Sequence, residues 1–215
     1  MKPKAKLNFL ITAGPTREYI DPVRFISNAS SGKMGYSLAA AAIAAGHKVT
    51  LISSCPDLPT PAGTKLISVQ STGEMFKAVK DNFTKCHCLI MASAVADYTP
   101  VKSYKNKIKK SKSNLTIQLK PTPDILRWAG ENRKDQVVVG FALEDKNLLR
   151  NAARKLKDKK ANMIIANSPT AIGADKTTIQ IKIADSKDWI TPASATKTTL
   201  AKKIIKLIQS KFYNS

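Results

Sequence analysis

The chain of 215 residues has only three cysteines, two histidines, nine glycines, an aromatic share of 6% and 15 acidic residues against 36 basic ones. Each shortage excludes something. Cys55, Cys86 and Cys88 are too few and odd in number for a disulfide framework, which fits a reducing compartment. Cys86-His87-Cys88 is spaced too tightly for the usual zinc patterns, and no second ligand pair follows. It reads as the entry to a buried strand. Neither His47 nor His87 belongs to a Ser-His-Asp set. No apolar run is long enough for a membrane span, and Lys2, Lys4 and Lys6 lead into an apolar stretch too short for a signal peptide. A cytoplasmic location is therefore expected. A dinucleotide fingerprint needs three glycines directly after a strand, and only Gly14 stands there. That weighs against a nicotinamide-dependent oxidoreductase.

What the chain has in excess is positive charge, +21 in all. Nucleic acid, an anionic surface or a small polyanionic substrate would each account for it. A solvated basic surface accounts for the total equally well. The charge peaks in Lys102–Lys112 and in Arg150–Lys160. Scarce aromatics and the lack of any nucleic-acid motif weigh against a nucleic-acid binder, which would show a continuous basic stripe and salt-sensitive binding.

The hydrophobic pattern alternates. Strands are expected over 6–12, His47–Ser53, Lys65–Val69, His87–Ser93, Gln136–Ala142 and Ala161–Ala166. Helices are expected over Gly32–Gly46, Ser71–Phe83, Asp124–Asn132, Lys146–Lys160 and Ala193–Phe212. Gly46 is positioned to close the first helix, and Ser71 with Glu74 forms a capping-box pattern at the second. In the last helix Leu200, Ile204, Ile205 and Ile208 face inward. Alternation of this kind predicts a mainly parallel sheet with helices on both faces. Ligands then gather at the carboxyl ends of the strands. A turn is expected over Ala171–Ala174, and Thr177–Ile183 with Asp188–Ile190 as an antiparallel pair. Residues 98–120 break the alternation as a lysine-rich excursion, in which Asn114–Leu119 reads as a strand. No repeat or linker divides the chain, so residues 1–215 are read as one domain.

Two strand exits carry the candidate chemistry, 13–31 and 94–112. In the first, Ser30-Ser-Gly-Lys-Met-Gly35 offers hydroxyls, backbone N–H groups and a lysine at a helix start, which suits an anion. Gly14, Ser30, Ser31, Gly32 and Lys33 form this loop. It is not a P-loop, because the earlier glycine is missing and Met34 stands where a magnesium-binding hydroxyl would be. Asn28 lies just upstream, where its amide can hold a carbonyl or a developing oxyanion. In the second exit, Asp97 is placed to bond a ribose or base, contact magnesium or cap a turn. Lys107, Lys109 and Lys110 lie on the flap, where mobile lysines suit a polyphosphate. Phe141 leaves a third strand with a face to stack on a base. Lys155 and Lys159, four apart on a helix, can hold phosphates as point charges. The profile is that of chemistry on anionic substrates by positioning and charge stabilisation, such as phosphoryl or nucleotidyl transfer.

Four separated signatures are together distinctive. They are Thr12-Ala-Gly-Pro-Thr-Arg-Glu18 with Ile20-Asp-Pro-Val-Arg-Phe-Ile-Ser-Asn-Ala-Ser-Ser-Gly-Lys-Met-Gly35, Ala94-Val-Ala-Asp-Tyr98 with Lys107-Ile-Lys-Lys110, Thr122-Pro-Asp-Ile125, and Val139-Gly-Phe-Ala-Leu-Glu144. On these the chain closely resembles the bacterial phosphopantothenoylcysteine synthetase family of coenzyme A biosynthesis. The resemblance implies a Rossmann-like three-layer α/β fold with a flap or dimerisation arm around 98–120. It implies a ligase that joins 4′-phosphopantothenate to L-cysteine through an acyl-cytidylate. CTP with Mg²⁺ would be consumed, and pyrophosphate and CMP released. ATP is used by the eukaryotic members. Asn28 and Lys107 then match catalytic positions. Asp97, Lys107, Thr122, Pro123, Asp124, Ile125, Phe141, Lys155 and Lys159 match nucleotide-binding ones. Thr122 departs from the family's usual asparagine, Ser93 from a small apolar residue, and Asn167-Ser-Pro-Thr170 from Asn-Asp-Val-Ser. The resemblance further implies a homodimer, and a decarboxylase in a separate chain of the same pathway.

Overall fold

The computed structural model describes residues 6–111, 113–171, 174 and 176–213. Its centre is an eight-stranded sheet. In chain order the strands are β1 (Asn8–Ala13), β2 (Lys48–Ser53), β3 (Thr64–Ser68), β4 (Cys88–Met91), β5 (Val137–Leu143), β6 (Met163–Asn167), β7 (Gln180–Ile183) and β8 (Trp189–Ile190). Across the sheet they lie in the order β3-β2-β1-β4-β5-β6-β7-β8. The first six are parallel, and β7 and β8 are antiparallel additions at one edge.

Side-chain alternation along the buried strands feeds two cores. Phe9, Ile11, Cys88, Ile90, Val137 and Val139 face α1 (Lys33–Ala44) and α5 (Lys197–Phe212). Leu10, Leu89, Met91, Val138 and Ala142 face α2 (Thr72–Phe83), α3 (Ile125–Asn132) and α4 (Leu148–Asp158). The result is the expected three-layer α/β arrangement. The four apolar residues foreseen for α5 are all buried.

Local signals explain the helix boundaries. Gly46, at φ 88°, ends α1: its N–H reaches the Ile43 carbonyl at 2.9 Å, and the His47 N–H reaches Ala42 at 3.1 Å. These two bonds satisfy the last carbonyls of the helix. Ser71 Oγ accepts from the Glu74 N–H at 3.2 Å, while Glu74 accepts from the Gln70 N–H at 2.8 Å. The capping box thus closes one residue further back than the usual pattern. Asp124 is the N-cap of α3 rather than its first residue, with Oδ1 accepting from the Arg127 N–H at 2.9 Å. The histidines hold backbone: His47 Nδ1 accepts from Leu7 N–H at 3.3 Å, and His87 Nδ1 from Asn8 N–H at 2.9 Å.

Two expected strands differ. Of Asn114–Leu119, only Leu119 joins a ladder, where Leu119–Pro121 pairs antiparallel with Tyr98–Pro100. Leu115 and Leu119 are exposed, so no core enforces a longer strand there. The expected strand Thr177–Ile183 is split. Lys176–Thr177 pairs with Ala195–Thr196, and Gln180–Ile183 pairs with β6 and β8. Residues 172 and 173 of the expected turn, and Lys112 of the lysine run, lie outside the described residues.

The approach of α1 to the sheet depends on Gly35. A Cβ there would stand 2.5 Å from Ala13 Cβ and 3.0 Å from the Thr12 carbonyl oxygen. Backbone cannot yield as a flexible side chain can, so Gly35→Ala should destabilise the fold by about 1–3 kcal/mol. A lowered denaturation midpoint at unchanged m-value is the expected result, and an unchanged midpoint would refute the close packing.

Candidate functional site

The strand order reverses direction of growth between β1 and β4, and there the loops leaving the two strands diverge and open a crevice. Hydrogen bonds stitch these loops together in place of a ladder. The Ala94 N–H reaches Gly14 O at 3.0 Å, Thr16 N–H reaches Ala94 O at 3.3 Å, and Ala96 N–H reaches Thr16 Oγ1 at 2.9 Å. Behind them Glu18, which is buried, accepts from both the N–H and the hydroxyl of Thr72 at 2.8 Å. A carboxylate is well placed at the start of α2.

Above this seam lies a cavity of about 910 Å³, toward the upper end for a small-molecule site. It collects residues from all four signatures: Asn28 and Ser30 to Met34, Ala94, Val95 and Asp97, Thr122 to Ile125, and Phe141 with Glu144. Lys155 and Lys159 line it as well. Gly14 lies beneath rather than in the wall. A Cβ on Gly32 would come within 3.1 Å of Gly14 Cα, and both glycines have positive φ, 71° and 84°. Lys107 is not brought to this cavity. It is exposed, on an arm that packs against the hairpin formed by Arg17–Tyr19 and Phe25–Ser27.

The start of α1 has no side-chain cap, unlike α2, α3 and α5. Its first-turn N–H groups are therefore available to an anion in the cavity. Asn28 is used otherwise than its sequence context suggests. Nδ2 donates to Ala94 O at 3.2 Å and to Val95 O at 3.0 Å. An amide has two such protons, so both are spent and Oδ1, an acceptor, remains. Thr122 is likewise engaged, its hydroxyl donating to Ala96 O at 2.6 Å.

On the opposite wall, Lys159 is paired with Asp124. Burial pushes the Asp124 carboxyl up, but the Lys159 ammonium and the Arg127 N–H more than offset this and leave it below the ordinary value. Both side chains are partly exposed, so the pair contributes at most about 1 kcal/mol. Burial pushes the Lys155 ammonium below the ordinary lysine range, against the pull of Glu144. A Cβ on Gly130 of α3 would overlap the Lys159 carbonyl, so the ends of α3 and α4 touch backbone to backbone. Phe141 is half-buried, packing on the core and lining the cavity at once.

Several lining residues were not singled out from sequence. Asn151, Arg154 and Asp158 share the cavity side of α4 with Lys155; extending the i, i+4 spacing of Lys155 and Lys159 upstream finds Asn151. Asn167, Thr177 and Lys197 come from three different elements, and no local pattern links them. Among the described residues no group of three or more His, Cys, Asp or Glu is placed to hold a metal.

The chain matches the family described as DNA/pantothenate metabolism flavoprotein C-terminal domain over residues 5–212. It is 46% identical over 166 residues to the coenzyme A biosynthesis bifunctional protein CoaBC of Bacillus subtilis (strain 168), covering 77% of this chain and 41% of that protein. It is 45% identical over 175 residues to a prokaryotic protein named cysteine/cysteine sulfinic acid decarboxylase, covering 80% and 49%. The crystal structure of the C-terminal domain of a coenzyme A biosynthesis bifunctional protein CoaBC superposes with a TM-score of 0.84 at 37% identity, covering 99% of this chain and 98% of that one. The chain spans about half the length of the curated relatives it matches.

The bonds of Asn28 give a test of the seam. In Asn28→Asp a carboxylate would face two carbonyl oxygens, so the 94–97 loop should move away. Backbone amide shifts at 94–97 should change in the variant and remain native in the sheet; unchanged shifts would exclude the two carbonyl bonds.

Proposed function

The chain belongs to the DNA/pantothenate metabolism flavoprotein C-terminal domain family, and from that premise we propose that it is a phosphopantothenate–cysteine ligase using CTP with Mg²⁺. The observation that carries this reading is that one cavity gathers residues of all four signatures at the β1/β4 divergence. The relatives' names differ in activity, and about half of each lies outside the match.

In the first step a carboxylate oxygen of phosphopantothenate attacks the α-phosphorus of CTP. The bond to the bridging oxygen breaks and pyrophosphate leaves. In the second step the cysteine amine attacks the acyl carbon, the acyl C–O bond breaks, CMP leaves, and the amine proton passes to solvent. Both steps join anions, and positioning and charge neutralisation are what this cavity offers. The uncapped start of α1, with Ser30, Ser31, Gly32 and Lys33, holds a phosphate or the developing oxyanion. Asn28, left with Oδ1, accepts from the incoming amine and orients it. Phe141 stacks on the base, and Lys155 and Lys159 hold the nucleotide from the far wall. Asp97 and the segment Thr122–Ile125 close the site through backbone and carboxylate contacts. Magnesium fits as a passenger of the triphosphate, since it is held by one or two carboxylates plus phosphates, and Asp97 is one of the carboxylates in the wall that would hold it. When bound, it neutralises phosphate charge.

In this reading residues 1–215 act as one ligase unit that works as a homodimer in the cytoplasm. No helix among the described residues is long and apolar enough to cross a membrane. Support for the dimer is the clustering of exposed Val23, Phe25, Tyr98, Val101, Tyr104, Leu115 and Leu119 on the hairpin and arm. An apolar patch of this kind marks an association surface. Lys107, absent from its own cavity, then serves the partner's.

Incubation with phosphopantothenate, cysteine, Mg²⁺ and CTP should release pyrophosphate, with less or none from ATP. No release with either nucleotide overturns the ligase reading. Lys155→Gln should raise the Kd for CTP by roughly tenfold, or about 1.4 kcal/mol. In the unmodified protein CTP affinity should fall with rising pH before the surface lysines discharge, because Lys155 loses its proton first. An unchanged Kd in the variant removes Lys155 from the nucleotide site.

A further inference from the structure

The lysine-bearing arm has little to hold it. Between its ladder residues Tyr98–Pro100 and Leu119–Pro121 the described residues form no regular element. Lys105, Lys107, Lys109 and Lys110 are exposed, yet Ile108 between them is half-buried. The cause is a fully enclosed carboxylate in the hairpin. Asp21 Oδ1 accepts from Val23 N–H at 2.9 Å and Arg24 N–H at 2.8 Å. Oδ2 accepts from Arg24 Nε at 3.0 Å and Nη2 at 2.5 Å, and from the Ile108 N–H at 3.1 Å. The same Arg24 Nη2 donates to the Ile108 carbonyl at 2.6 Å. One ion pair therefore grips both polar groups of a single peptide residue in a segment more than 80 positions away. Charge-assisted bonds of this geometry are the stronger class. Two further contacts lie along the same seam, Tyr104 N–H to Ile20 O at 2.8 Å and Ser103 Oγ to Tyr19 O at 2.7 Å.

We propose that the Asp21–Arg24 pair is a latch that fixes the arm through the Ile108 backbone and so sets where the flanking ammonium groups stand. Asp21 is a positioning residue: it touches no substrate and acts through Arg24 and the Ile108 peptide. The Arg24 guanidinium holds the Asp21 carboxyl well below the usual carboxylate range, so the latch keeps its charge through mild acid. The consequence for turnover rests on the ligase reading above, whereas the latch itself does not.

Two variants test it. Asp21→Asn keeps the side-chain shape and an acceptor for the turn, but removes the charge that binds Arg24. Ile108→Pro removes the arm's N–H together with the Ile108 side chain and leaves every hairpin residue unchanged. Native protein without nucleotide is digested with a lysine-specific protease and the fragments are identified by mass. Cleavage tracks the population of the open segment, so cuts at Lys105, Lys109 and Lys110 should appear about tenfold faster in both variants, with cuts in the sheet domain unchanged. Wild-type cleavage rates in Ile108→Pro overturn the latch. If Asp21→Asn is cut throughout, it has unfolded, and Ile108→Pro decides alone. In the ligation assay the KM for CTP should rise about tenfold with that for cysteine unaltered; an unaltered KM for CTP in a variant whose arm is freed overturns the positioning role. A wild-type protein without turnover defeats the ligase reading instead, and leaves the cleavage result standing.

Discussion

The structure turns on how one backbone bridge and a set of side-chain hydrogen bonds together carry on from the ladder where β1 and β4 end. Strands that run side by side need no help, because backbone pairs with backbone. Beyond the single bridge at Pro15 and Ala94 the two loops part and regular pairing ends, and leaving such groups buried and unpaired costs about 1–3 kcal/mol each. Thr16 and Asn28 supply the replacements, from one loop to the backbone of the other. Thr16 is in turn held by the Thr72 hydroxyl at 3.0 Å, and Thr72 by Glu18. The crevice is thus open and cross-braced together. Its floor is braced from α2, an element that contributes nothing to the cavity wall.

The net charge has little to do with this cavity. Its wall holds five basic residues, Lys33, Arg154, Lys155, Lys159 and Lys197, and four acidic ones, Asp97, Asp124, Glu144 and Asp158. A near-balanced site would suit the opposite demands of the proposed substrates, a polyphosphate with its cation and an amine nucleophile. A uniformly basic pocket would hold product anions as firmly as substrates. Among the described residues most of the remaining lysines are exposed on the outer surfaces and the arm.

Much of this was legible beforehand, and the exceptions share a cause. The parallel strands, the helices between them and the buried face of α5 follow from periodicity, because a core enforces the period of each element that packs on it. Asn114–Leu119 alternates just as clearly but has no core beneath it, so alternation there does not become a strand. Site residues on the signature loops were visible as residue types at strand exits. Asn167, Thr177 and Lys197 were not, since they meet only through the fold. Neither were the duties of Asp21, Glu18 and Thr16, whose partners lie tens of residues away. The latch on Ile108 is the extreme case: Asp-Pro-Val-Arg reads as a turn, and nothing local tells that its ion pair closes on the arm.

Asn28 shows why contact geometry has to follow motif reading. A side-chain amide beside a helix start invites an oxyanion role, because its protons are the obvious donors. Here the two carbonyls of Ala94 and Val95 take both protons, and the remaining oxygen repels an oxyanion while attracting an N–H. The donors for negative charge must then be sought where they are unspent, at the uncapped first turn of α1. The division is chemically economical. In the proposed ligation the backbone of α1 would face the charge that forms on phosphate and acyl oxygen, and the Asn28 oxygen held on the seam would face the attacking amine. Both features stand on the same loop, with four residues between Asn28 and Lys33, and the hydrogen bonds that fix the Asn28 side chain also tie this loop to the one leaving β4.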